Sequence, residues 1–152
     1  MLWSQDTNNV ITATDATTGD VLFTMLHNEP VTDFTEFYRS QRTNTLASNR
    51  YDAECRGITV PGIGPIATDR GSQSMITSVM SFTQFMDPGA TIDWKLTDGT
   101  FTSVDAAGIQ NIALAVAMHV QTCFTDEAAV RAQLNAATTD EELRAIDVSL
   151  AA

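Results

Sequence analysis

The strongest local pattern in the chain is ATIDWKLTDGTFTSVD, residues 90–105, which runs directly into AAGIQNIALAVAMHVQTCF. Ile92, Trp94 and Leu96 alternate with polar residues, Asp98-Gly99 supplies a tight turn, and Phe101 begins the return strand. Asp105 is placed to cap a long helix reaching about Phe124, and TDEAAVRAQLNAA continues or restarts it from Thr125. That helix is apolar almost all round, with Leu114 and Met118 opposite Ile112 and Val116. Such a helix has to be covered on several sides, by its own domain or by a neighbouring subunit.

The elements before it are shorter. NVITATDATTGDVLFTML holds two β-rich runs, Val10 to Thr14 and Val21 to Met25, whose intervening TTGD bend makes them a hairpin. Pro30 ends the β pattern. Residues 31–57 read as a helix capped by Thr32 or Asp33 and stopped at Gly57. Its apolar positions (Phe34, Phe37, Tyr38, Leu46, Ala47, Tyr51 and Cys55) form one narrow stripe suited to a partner helix. Residues 57–70 form a compact hairpin around PGIG. The run lacks the Gly-Lys-Ser/Thr ending of a phosphate loop and has prolines where amides would be needed. Asp69 opens a second helix, for which Met75, Val79, Phe82 and Met86 are the expected core stripe. TTDEELRAI carries a capping box, Thr139 with Glu142, ahead of a terminal helix that turns Leu143 and Ile146 inward.

Composition narrows the function classes. The chain has 152 residues, 43% of them hydrophobic, enough for one domain with a real core, or for one domain with a smaller appendage. Against 19 acidic residues stand seven arginines and Lys95, a net charge of −11. Clustered cations are needed to hold phosphates, so nucleic acid and anionic membrane are not expected partners. Four of the eight cations, Arg39, Arg42, Arg50 and Arg56, fall in the first helix. MLWSQDTNN has neither a basic n-region nor an apolar h-region, and no apolar run is long enough to span a membrane, so synthesis in the cytoplasm is expected.

Candidate chemistry is sparse. His119 and Cys123 share a helical face, the spacing of a thiol and its base, yet that face is the one carrying Ile109, Ile112, Val116 and Val120. A catalytic thiol needs an exposed, electropositive setting, so both residues read as packing elements. Zinc would require His27, His119, Cys55 and Cys123 to meet across the fold, and no pair has finger spacing. The paired carboxylates sit on turns and helix caps, where backbone amides explain them. No catalytic residue, metal or cofactor is expected. Trp94 reads as core. Trp3 reads as either a tether or a partner contact.

From residue 34 to 147 the order of motifs resembles the phage-associated domain-of-unknown-function family 4376. The resemblance is carried by ATDRGSQ, the W-x-x-x-D-G hairpin and the H-V-x-x-C-F-x-x-E helix, and covers about three quarters of the chain. It implies a tail fibre, tail fibre assembly or baseplate-region protein of tailed phages, and it transfers no catalytic residue. The expectation is therefore an α+β protein, an N-terminal β-hairpin followed by a mainly helical domain with two short hairpins. Residues 1–30 form an attachment segment and 31–152 the family-like domain. Its role is expected to be structural, within the virion, docking to other tail or baseplate proteins and to copies of itself; a tail fibre assembly chaperone is the alternative. Leu2, Trp3, Leu22, Phe23 and Leu26 are the expected partner contacts, along an exposed strand edge.

Overall fold

The computed structural model describes residues 1–150. In chain order the elements are β1 (Leu2–Gln5), β2 (Val10–Thr14), β3 (Val21–Leu26), α1 (Phe34–Cys55), β4 (Ile58–Val60), β5 (Gly64–Ile66), α2 (Arg70–Phe82), β6 (Thr91–Lys95), β7 (Phe101–Asp105), α3 (Ala106–Ala136) and α4 (Asp140–Ala145). The class is α+β, as the sequence predicts. Two compact units share these elements: Met1–Leu46 with Ala129–Val148, and Ala47–Ala128 with Ser149 and Leu150. Helices α1 and α3 each contribute to both.

In the first unit the expected hairpin β2–β3 is extended by β1 into an antiparallel sheet of order β1-β2-β3. β1, LWSQ, sets two apolar residues before two polar ones, so no period-two alternation announces it beforehand. The turns follow from short side chains that hold the backbone. Asp6 accepts from the N–H groups of Asn8 and Val10, and Asp15 from those of Thr17 and Thr18. Ile11 and Ala13 of β2 are fully buried, as are Leu46 and Leu134 of the helical parts of this unit and Leu143 of α4. Between Ala13 and Thr14 the register slips, so that Ala13 faces Phe23 while Thr14 faces Val21. Leu22 is the extra residue of a β-bulge. Asp33 accepts from the Glu36 N–H and starts α1, and the Thr139–Glu142 capping box starts α4.

In the second unit β4–β5 and β6–β7 are separate antiparallel hairpins, joined where the Thr97 N–H donates to the Pro65 carbonyl at 3.1 Å. Their inner residues Val60, Ile66, Trp94, Leu96 and Val104 meet Ile76 of α2 and Ile109, Ile112 and Val116 of α3 in one buried cluster. Gly57 ends α1 with a φ of +84°, where a Cβ would lie 2.9 Å from the Ile66 carbonyl oxygen. Position 57 therefore needs glycine twice over, for its backbone and for its neighbour. The Asp105 carboxylate accepts from the Gly108 N–H at 2.8 Å, and α3 continues unbroken through Thr125.

One expected stripe is corrected. In α2 it is Ile76, 3% exposed, that enters the core, whereas Met75 and Phe82 are 53% and 52% exposed. The apolar residues of this helix share one broad face, of which Ile76 and the expected Val79, rather than Met75 and Phe82, turn to the core. Gln73 is held inward on the same helix by two hydrogen bonds. Tyr51, expected in the α1 stripe, is likewise exposed, while Ala53 and Glu54 of the same helix are fully buried.

Candidate functional site

The most concentrated polar arrangement lies in the second unit around Glu54, a carboxylate with no exposed surface. An ionised group in that position must be paired. Arg50, one turn earlier on α1, donates to Glu54 Oε2. From the first turn of α2, Arg70 Nε lies 3.2 Å from Oε1, and Gln73 Nε2 donates to the same oxygen at 2.9 Å. Arg50 also donates to Glu127 on α3 at 3.1 Å, and its guanidinium sits 4.6 Å from the centre of the Phe124 ring. Two carboxylates thus balance two guanidinium groups.

The backbone of residue 54 is occupied as well. The Thr68 hydroxyl donates to the Glu54 carbonyl and accepts the Gly57 N–H at 2.9 Å. His119 Nε2 approaches the carbonyls of Ala53 and Glu54, at 3.2 Å each. Two carbonyl neighbours require Nε2 to carry the proton. That tautomer presents no lone pair to the Cys123 sulfur, 4.0 Å away. Burial, followed by the Glu54 and Asp126 charges, pushes the Cys123 thiol above its usual value. His119 and Cys123 are packing and capping elements here, as their face on the helix suggests. The bonds from Arg50, Arg70 and Gln73 all end on carboxylates of the hub, so the arrangement ties α1, α2 and α3 together.

Local geometry explains why these residues arrive together. Asp69 caps α2 through the N–H groups of Gly71 and Ser72 and through the Ser72 hydroxyl at 2.6 Å. These bonds, the hydroxyl first, hold the Asp69 carboxyl below its usual range. The cap fixes the first turn, and with it the direction of Arg70 and Gln73. ATDRGSQ is therefore a unit: Thr68, Arg70 and Gln73 serve the hub, and Asp69 aims them.

A family model described as "Domain of unknown function (DUF4376)" matches residues 37–149. The chain belongs to the DUF4376 family. No curated protein and no solved structure matches it. The hub lies wholly inside the DUF4376 match, whereas the sheet of residues 2–26 precedes it.

The five expected partner contacts therefore lie before the DUF4376 match, in the first unit. Leu2 and Leu26 are 60% and 67% exposed, on the two edge strands of the sheet. Phe23 and Leu22 are half-buried. Trp3 is half-buried too: it stacks on Phe34 at 5.6 Å, meets Phe23 at 5.5 Å and Tyr38 at 5.4 Å, and its indole N–H donates to the Asp140 carboxylate. Trp3 is thus a tether between β1, α1 and α4. His27 belongs to this unit and meets Phe37 edge-on, whereas Cys55, His119 and Cys123 belong to the other. Among the described residues no three His, Cys, Asp or Glu side chains are grouped as ligands for an ion. No described helix is long and apolar enough to cross a membrane.

Sequence reasoning overlooked Arg50, Glu54, Thr68, Arg70 and Gln73 as one constellation. The available signal was ATDRGSQ, a polar stretch of unusual specificity, together with an Arg and a Glu one helical turn apart in α1.

Proposed function

We propose that this protein is a structural, non-catalytic component of a tailed-phage virion, at the tail tip, baseplate or fibre attachment, made in the host cytoplasm and working by protein–protein docking without a cofactor. One observation supports docking over chemistry: an uncharged helical surface on a strongly acidic chain. Residues 71–86 and 106–125 contain no Asp, Glu, Lys or Arg, although the chain carries a net −11. On that surface Leu114 and Met118 are 61% and 63% exposed, and Phe124 and Met80 flank a cavity of about 450 Å³ between α2 and α3. Large apolar side chains left exposed on an uncharged helical surface mark an interaction face. A second copy of the chain is the occupant we favour, because two chains of net charge −11 can approach closely only across a neutral face.

The other contact is with tail or baseplate neighbours through the sheet. Both β1 and β3 are edge strands, and Leu2, Val21 and Leu26 stand exposed on them. Deleting the segment would remove the buried Ile11 and Ala13 and so unfold the first unit. Charged substitutions at Leu2 and Leu26 are the sharper test. Leu2→Glu with Leu26→Glu should leave the fold intact and abolish incorporation into particles, measured by quantitative mass spectrometry of purified virions. Unchanged incorporation of the variant overturns the docking assignment. Absence of the unaltered protein from finished particles assigns it to assembly, as a tail fibre chaperone, instead.

A further inference from the structure

A cavity of about 460 Å³ opens in the first unit, walled by Leu22, Phe23 and Met25 of β3 and by Tyr38 of α1, with Arg42 and Arg144 at its polar side. That volume falls within the range of small-ligand sites. Two of the chain's eight cations are spent on it. Arg42 makes no ion pair among the described residues: it donates only to the Ile146 carbonyl, and its Nε–H is buried with no acceptor. Arg144 has one carboxylate in range, Asp15, at a loose 3.7 Å, and is 53% exposed. In a chain with 19 acidic residues, a largely enclosed guanidinium without a counter-charge is an unmet requirement.

We propose that this cavity binds an apolar carboxylate, its carboxyl group held by Arg42 and Arg144 and its apolar body against Leu22, Phe23 and Met25. A guanidinium takes a planar carboxylate through paired N–H donors, which is the chemistry Arg42 lacks within the chain. A cation would be repelled by both arginines, and a neutral apolar molecule would leave Arg42 without a counter-charge. The same chemistry is offered by a free aliphatic or aromatic acid and by the C-terminal residue of a polypeptide. The β-bulge favours the site, since the extra residue Leu22 and its neighbour Phe23 both line the cavity. This inference stands apart from the docking proposal, whose test residues Leu2 and Leu26 do not line the cavity.

The test is calorimetric titration of the full chain with N-acetyl-leucine and with its amide, and with a pentapeptide ending in leucine as free acid and as amide. Each acid should bind at least about tenfold more tightly than its amide, the cost of losing a charged hydrogen-bonded pair. Tighter binding of the peptide than of N-acetyl-leucine identifies a polypeptide terminus as the source, and equal binding identifies a free acid. The Met25 methyl resonance should shift on binding, and Arg42→Gln or Arg144→Gln should weaken the acid without altering the amide. Equal affinity for acid and amide overturns the proposal, and so does no binding of either acid. The acid–amide comparison uses the unaltered protein, so a variant that fails to fold does not weaken it.

Discussion

Replacing Glu54 by alanine is the most informative single perturbation of the second unit. The carboxylate has no exposed surface and accepts from Arg50, Arg70 and Gln73. Removing one partner of a buried pair costs about 3–5 kcal/mol when the other is left uncompensated. Here the two arginines are left differently. Arg70 is 59% exposed, so water replaces its partner, whereas Arg50 is 14% exposed but keeps Glu127 at 3.1 Å. The stranded groups are the Gln73 amide and one edge of Arg50, which places Glu54→Ala at the lower end of that range, about 3 kcal/mol. Arg50→Ala should cost as much or more, because it deprives both Glu54 and Glu127. Arg70→Ala should cost no more than about 1 kcal/mol, as exposed pairs do. Urea unfolding followed by Trp94 fluorescence in a Trp3→Phe background reads this unit, since Trp94 is 6% exposed within its core. A double-mutant cycle should give a large coupling for Glu54 with Arg50 and a small one for Glu54 with Arg70. The reasoning is refuted if Glu54→Ala loses less than about 1 kcal/mol, or if Arg70→Ala costs as much as Arg50→Ala.

Three further outcomes are expected. The raised, buried Cys123 thiol should react with a neutral disulfide reagent at pH 8 at least about tenfold more slowly than an unfolded thiol, with urea restoring the rate; rapid native labelling mapped to Cys123 would contradict this. Asp69 titrates below its usual value, so its contribution is complete above about pH 4 and lost as pH falls through its lower native value. The stability difference between wild type and Asp69→Asn should therefore shrink as pH falls below about 4, and a difference that stays constant on acidification rejects the cap as its origin. Leu114→Asp, placed on the neutral face of α3, should shift sedimentation toward the monomer with little change in unfolding midpoint; an unaltered oligomeric state removes that face as the contact between copies.

The fold was legible wherever local chemistry had one reading. Asp98-Gly99, Asp105, Asp33 with Gly57, and Thr139 with Glu142 each fix a turn or a helix end through their own short-range bonds, and each element appears where those residues put it. The exact rotation of α2 was not legible, because its apolar residues cover a face broad enough to hold both the expected stripe and the observed one. Gln73 of the same helix donates to a carboxylate 19 positions earlier, and periodicity carries no information about such a partner. The hub was hidden for the same reason. A buried ion pair looks, in sequence, like any solvated pair one turn apart, until the residues that cover it are known. Trp3 shows the reverse case. Near the start of the chain it read equally as a tether or as a partner contact, and its bonds to Asp140 and Phe34, more than 130 and 30 residues away, are those of a tether.

The position of the hub bears on where function can reside. The residues that make ATDRGSQ and the α3 His-Cys pair distinctive are consumed in holding Glu54, the Gly57 turn and the first turn of α2 in place. Each has a structural partner within the fold, the Glu54 carboxylate for Arg70 and Gln73 and backbone groups for Thr68, Asp69 and His119. A binding role must therefore draw on surfaces that the hub does not use. These are the exposed Leu114 and Met118 of α3, the exposed leucines of β1 and β3, and the cavity beside Arg42, the last two of which draw on strands that precede the DUF4376 match. If the proposed docking is correct, family members should share the stability lost on removing Glu54 while differing in what their edge strands recognise. Transplanting residues 1–30 between two members, and following which particle each chimera enters, separates these two contributions.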